Sequence, residues 1–174
     1  MKNSFFDKIL SKVRIDLSQL GITYPIVFAV LSVLIAVLSA FVCKTNAFFF
    51  WCKRPPFCLP FLILLLIINV MFIAFGISVG CIAAIKERYF LIDKYKALLV
   101  ATIAYVFMFS WAPIFFLTYN IFISAIISAI ISALLLIFLL LSKKICFTAF
   151  IFSLISLIIG IYLCYLNFAF FIVS

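Results

Sequence analysis

The chain has no histidine, four acidic residues, four glycines and five prolines among its 174 residues. Without histidine there is no imidazole to activate a serine, to ligate zinc or to hold haem iron from its axial side. The four acidic residues form no paired carboxylates for acid–base work, and the four glycines form no phosphate-cradling loop. No catalytic constellation, no metal site and no required cofactor can be written from these residues, and the chain does not read as an enzyme. The six cysteines contain no CxxC pair. Most of them read as small apolar packing residues. Cys52 and Cys58 flank a proline pair, close enough for a local disulfide in an oxidising compartment.

What is present is apolar. Hydrophobic residues make up 71% of the chain and charged residues 10%, with a mean hydropathy of +1.53. Those values lie outside the range of water-soluble domains. The apolar runs are continuous rather than alternating with period two, so helices and not a β-barrel are expected to cross the bilayer. The expected class is an all-α integral membrane protein, a five-transmembrane-helix bundle. The net charge of +9 would suit nucleic acid in a soluble protein, but no nucleic-acid-reading module is present. In a membrane protein such a charge orients the chain and binds anionic lipid.

Residues 1–23 place Phe5, Phe6, Ile9, Leu10, Val13, Leu17 and Leu20 at near-helical spacing, with Lys8, Ser11, Lys12 and Ser18 largely opposite. That pattern suits an amphipathic segment lying on a membrane surface. A cleavable signal peptide is the competing reading and would leave four spans. Against it, the polar lead is long and the apolar run that follows is of spanning length. The membrane domain then covers 24–174, with spans at about 24–43, 58–85, 97–119, 121–142 and 145–173. All 17 charged residues fall outside these spans. A carrier coupled to protons or cations generally needs ionisable groups at membrane depth, and none is placed there.

With five spans, one side of the membrane receives ten Lys and Arg residues, from the N-terminus, the 86–96 connection and Lys143-Lys144. The other receives three: Lys44, Lys53 and Arg54. The excess predicts a cytoplasmic N-terminus and an outer C-terminus. The fourth span repeats Ser124-Ala125, Ser128-Ala129 and Ser132-Ala133 every four residues. Such a stripe lets a neighbouring helix approach closely, within the chain or across a homodimer.

The segment between the first two spans stands apart: Lys53-Arg54-Pro55-Pro56-Phe57-Cys58-Leu59-Pro60. It resembles the Lys-Pro-Pro-Phe-x-Pro-Pro stretch of the translocator protein family, also called the tryptophan-rich sensory proteins or peripheral benzodiazepine receptors. Met71-Phe72-Ile73-Ala74-Phe75-Gly76 follows without a gap where the family has Leu-Tyr-x-x-Met-Gly. Trp111-Ala112-Pro113-Ile114-Phe115-Phe116 is similar to the family's Trp-Ser-Pro-Leu-Phe-Phe, the most specific of the matches. Leu166-Asn167 falls where the family has Leu-Asn near its C-terminus. The resemblance covers about residues 24–174. It departs at Leu59, Leu62, Ile68, Met108, Ile155-Ser156 and Ile159, where the family carries proline, tryptophan, asparagine or Pro-Tyr.

The resemblance implies a five-helix bundle around a pocket, with the 44–57 loop over its mouth. It also implies a flat hydrophobic ligand, either a tetrapyrrole such as protoporphyrin IX or haem, or a sterol such as cholesterol. Carried over residue by residue, the ligand-binding set is Pro55, Pro56, Phe57, Pro60, Trp111, Pro113, Phe116 and Asn167. Phe57 and Trp111 would offer rings for stacking, Asn167 a hydrogen bond, and Lys53 with Arg54 an attraction for carboxylates. The alternative function is a structural or interaction subunit of a membrane complex with no ligand of its own, for which the serine stripe would be the packing surface.

Overall fold

The computed structural model describes residues 23–42, 55–85, 91–118 and 120–173, with the backbone alone for 39–42 and 61. Five helices account for nearly all of them: α1 (Thr23–Val42), α2 (Phe61–Ala84), α3 (Leu91–Phe116), α4 (Ile121–Ile145) and α5 (Phe147–Val173). The amphipathic N-terminal segment, most of the 44–57 loop with Cys52, Lys53 and Arg54, and Lys86–Phe90 lie outside the described residues. The helices α2 to α5 are each long and apolar enough to cross a membrane. The protein is an all-α, multi-pass membrane protein whose outer faces, including Leu62, Leu99, Val106, Leu140 and Ile158, are exposed apolar surface suited to lipid.

In lipid, outward-facing leucines gain nothing from one another, so helices associate through close backbone approach and interhelical hydrogen bonds. Both devices are visible here. Gly76 and Gly80, one turn apart on α2, lie under α1. A Cβ on Gly76 would fall 2.6 Å from the Phe28 carbonyl oxygen, and one on Gly80 would fall 2.6 Å from the Pro25 Cα. Pro25 itself sits in the first turn of α1, where its missing N–H leaves no bond unmade.

The serine stripe is used within the chain. Ser142 Oγ meets Ser153 Oγ at 3.0 Å, Ser132 Oγ donates to the Gly160 carbonyl at 3.2 Å, and Ser124 Oγ donates to Asn167 Oδ1 at 3.4 Å. These contacts climb α4 while descending α5, the register of an antiparallel pair that begins at the single-residue corner Cys146. Ser124 and Ser132 of the stripe therefore face α5. Ser78 Oγ and Ser156 Oγ donate to the Ala149 and Met71 carbonyls and join α2 to α5 in the same manner. Around the bundle the order is α1, α2, α5, α4, α3, with α3 returning only lightly to α1 and α2.

Two boundaries differ from those expected. The helix α3 begins at Leu91, six residues before the start of the third apolar span, and takes in Asp93, Lys94 and Lys96. The helix α4 continues past Ser142 through Lys143 and Lys144. In each case the helix outruns the apolar run because charged side chains suit these ends: Asp93 lies in the first turn of α3, and the two lysines lie in the last turn of α4.

Lys94 has a further role. Its Nζ donates to the Ala83 carbonyl at 2.8 Å and to the Ile85 carbonyl at 2.6 Å, so the first turn of α3 caps the C-terminal end of α2. Lys94→Met keeps the length of the side chain and removes both bonds. Since hydrogen bonds to charged groups contribute about 1.5–3 kcal/mol and this one is half-buried, the expected loss is about 1.5 kcal/mol. Thermal unfolding in detergent checks it, with Lys94→Arg retaining most of the stability.

Candidate functional site

Near the end of the bundle that carries the 55–60 turn, residues of α2, α3 and α5 converge on a small apolar cleft. Its walls are Leu64 from α2, then Trp111, Phe115 and Phe116 from α3, with Leu163, Leu166, Asn167 and Phe170 from α5. The α3 contribution follows from helical spacing, since 111, 115 and 116 fall on adjoining parts of one face. On α5 the positions 163, 166, 167 and 170 form one buried stripe for the same reason.

Pro113 lies inside α3 without ending it, because the helix stops at Phe116 and only one intrahelical bond is forgone. The residues after it return to its carbonyl: Leu117 N donates to Pro113 O at 2.9 Å. Three residues after Leu117, Asn120 caps α4 by accepting from the Ile123 N–H at 3.1 Å. The short link places the aromatic end of α3 beside Ser124 at the start of α4.

The polar centre of the cleft is Asn167, 2% exposed. Its Oδ1 accepts from Trp111 Nε1 at 3.2 Å and from Ser124 Oγ at 3.4 Å, and its Nδ2 donates to the Leu163 carbonyl at 2.7 Å. One amide thus links three helices, and its hydrogen-bonding groups are engaged on both sides. The Trp111 indole stacks on Phe115 at 5.5 Å between centroids with the planes 20° apart. Phe116 meets Trp111 edge-on at 6.0 Å, and Phe170 meets Phe115 edge-on at 5.8 Å. The rings nearly fill the space they enclose, which amounts to about 10 Å³, room for roughly one water molecule.

Of the eight residues expected to bind ligand, Trp111, Phe116 and Asn167 line this cleft. Pro113 is half-buried within α3 and supports the chain between two of them. The proline-rich group lies to one side. Pro55 is buried, whereas Pro56, Phe57 and Pro60 are exposed, and none of the four lines the cleft. Phe57, expected to face the ligand, is 84% exposed.

The local cause is backbone geometry. Cys58 N donates to the Pro55 carbonyl at 3.2 Å and Phe57 has φ of 61°, the pattern of a type II turn with proline second and a left-handed residue third. That third position favours glycine, so Phe57 is held there against its preference. Two tyrosines of α5 hold it: Tyr162 donates to the Phe57 carbonyl at 3.1 Å and Tyr165 to the Pro56 carbonyl at 3.3 Å.

Sequence reasoning did not select Leu64, Phe115, Leu163, Leu166 and Phe170 as site residues. The spacing of 163, 166 and 170 about Asn167, and of 115 after Trp111, is the signal that would have found the α3 and α5 members. Nothing in the sequence marks Leu64 among its apolar neighbours. Asn69 of α2 donates to the Leu65 carbonyl of its own helix at 2.8 Å.

Among the described residues no group of histidine, cysteine or acidic side chains is arranged to hold a metal. The cleft offers flat rings, apolar walls and one amide–indole pair. Compared with known proteins, the chain matches no family model and no curated sequence.

Proposed function

We infer that the protein is a membrane receptor or carrier of the translocator type, with α1 as the first of five spans. Its ligand is a flat hydrophobic molecule, either a tetrapyrrole such as protoporphyrin IX or haem, or a sterol, taken up at the Trp111–Asn167 cleft. The observation that carries this reading is the meeting of Trp111 and Asn167 at 3.2 Å. They belong to two separate stretches that resemble the translocator family, 56 positions apart in sequence, and they supply the cleft with its ring and its amide. The N-terminus is cytoplasmic and the C-terminus outside. In support, every charged side chain among the described residues, Asp93, Lys94, Lys96, Lys143 and Lys144, belongs to the end of the bundle opposite the cleft.

A cleft with room for one water admits such a ligand only if its rings part, so binding is coupled to movement of Trp111, Phe115 or Phe170. Titration of the Trp51→Phe protein with protoporphyrin IX, followed through Trp111 emission, is expected to give saturable quenching. Adding Trp111→Phe removes the reporter, so binding in that variant is read from porphyrin absorbance and is expected to weaken. Quenching that does not saturate, or absorbance unchanged by the substitution, refutes the assignment.

The close filling of the cleft favours a second reading, an interaction subunit without its own ligand. It predicts a defined crosslinked partner in native membranes and no saturable porphyrin signal.

A further inference from the structure

The helix α3 is fastened to the bundle differently from the other helices. On α2, glycines bring the backbone against α1, and α4 lies along α5 through its serines. By contrast α3 packs along α4 alone and only lightly touches α1 and α2. It is also the least buried of the four long helices, with Leu99, Ile103, Val106 and Phe109 exposed.

Across the seam that remains, separate polar contacts do the holding. Lys94 binds the α2 carbonyls at one end. In the middle Tyr105 Oη and Ser32 Oγ lie 2.6 Å apart, and Phe75 packs on the Tyr105 ring at 4.9 Å. At the other end Trp111 donates to Asn167. The cleft lies in this seam, walled by α2 and α5 on one side and α3 on the other. A helix pair in contact along its length must be pulled apart everywhere at once. A seam held at separate points opens locally when one of them breaks.

We propose that the seam between α3 and the α1–α2 pair is a lateral portal. The helix α3 swings on α4, and the Ser32–Tyr105 and Trp111–Asn167 hydrogen bonds are its catches. Lys94, at the far end, acts as the pivot. The ligand enters the cleft from the acyl-chain region rather than from water. This route requires a ligand that partitions into the apolar part of the bilayer. The proposal rests on the ligand-binding reading of the cleft, but opening of the portal can be measured without any ligand.

Leu166 is 3% exposed and lines the cleft, so a thiol there reports the opening. Leu166→Cys is made in a chain whose six native cysteines are replaced, and the protein is reconstituted in phosphatidylcholine vesicles. It is treated with a membrane-partitioning pyrene maleimide or with a charged sulfonated thiosulfonate reagent. The pyrene reagent is expected to react and the charged one to lag far behind. Tyr105→Phe is expected to speed the pyrene reaction about fivefold, the factor that one net hydrogen bond is worth at room temperature. A thiol at Ala149, buried near the opposite end of α5, is expected not to respond to Tyr105→Phe.

Faster reaction with the charged reagent, or a rate unchanged by Tyr105→Phe, overturns the portal. If the cysteine-free chain does not fold, Trp51→Phe in the native-cysteine chain serves instead. Quenching of Trp111 by brominated acyl chains should then deepen with Tyr105→Phe, and equal quenching in both overturns the proposal. A positive labelling result with no porphyrin binding removes the proposed ligand and keeps the portal. The reverse result keeps the ligand and removes the portal.

Discussion

Gly80→Leu lowers the thermal midpoint of the purified protein by about 10 °C, the largest stability change expected from a single substitution here. The cause is local and steric. A Cβ at position 80 would sit 2.6 Å from the Pro25 Cα, 2.7 Å from the Tyr24 carbonyl oxygen and 2.8 Å from the Pro25 nitrogen. All three are backbone atoms of α1, so no rotamer change relieves the clash and the helix itself must move. Overpacking of this kind costs about 3 kcal/mol, and in a chain of this size each kcal/mol shifts the midpoint by about 2–4 °C. The outer face of α1, with Val27, Leu31 and Leu34, is exposed, so the helix is displaced outward, and the Ser32–Tyr105 contact is strained with it.

Gly160→Ala is the control. Its Cβ would meet Leu135 Cδ1 at 2.8 Å, the free end of a side chain that can rotate, and Ser132 Oγ at an ordinary 3.9 Å. The helix propensity gained over glycine, about 1 kcal/mol, offsets that adjustment, and the midpoint is expected to move by no more than a few degrees. Thermal unfolding followed by circular dichroism in one detergent compares the two. A Gly80→Leu protein that melts within 2 °C of the parent, or a Gly160→Ala protein that loses as much, would contradict the close-approach account; these thresholds are about the shift that 1 kcal/mol produces.

On the proposed function, Asn167→Leu is expected to weaken protoporphyrin binding about tenfold and to cost about 2 kcal/mol of stability, since it leaves buried donors without their acceptor. The Trp111 indole N–H and the Ser124 hydroxyl both point to Asn167 Oδ1. Ser124 has a second acceptor, the Ile121 carbonyl at 2.8 Å, so most of the cost falls on the indole. That asymmetry can be measured. Trp111→Phe removes the donor together with its need for a partner, and in the double variant the Asn167→Leu substitution should cost markedly less than it does alone. Additive losses in the cycle, from unfolding midpoints and from porphyrin titrations, would show that the pair does not act as a unit. A double variant that keeps full affinity would show that the cleft is not the binding site.

The sequence was most informative where a single physical requirement acts. Runs of apolar residues such as Ile121 to Leu141 have to satisfy their own backbone in lipid, and the helices α2 to α5 appear where those runs do. Helix ends were less legible. Asp93, Lys94 and Lys96 looked like a polar connection, yet they are helical, and Lys94 finds the carbonyls of Ala83 and Ile85 at the end of α2. No pattern local to residues 91–96 could announce a partner eight or more positions away.

Trp111, Phe116 and Asn167, which line the cleft, were singled out through short motifs that resemble those of a known family. Phe115 and Phe170 were not, since two phenylalanines among 24 carry no distinguishing mark until their helices are set side by side. The proline-rich segment shows the opposite limit. Its prolines sit in a turn ahead of α2, but the left-handed backbone at Phe57 turns that ring outward, and the hydroxyls that hold it come from Tyr162 and Tyr165, more than 100 positions along the chain.

The sequence by itself determined the solvent of this protein and the class of its architecture. Hydrophobicity is a sum over residues, and the need to bond every backbone group within a span admits few solutions. Only the tertiary structure decided which small residues serve close approach, which hydroxyls cross between helices, and that Trp111, Ser124 and Asn167 share one amide oxygen. Those outcomes depend on the relative rotation and depth of helices in lipid. Leucine, isoleucine and phenylalanine face tails and neighbouring helices with nearly equal ease, so the rotation is set by a few glycines, serines and one asparagine, whose partners lie far away in sequence.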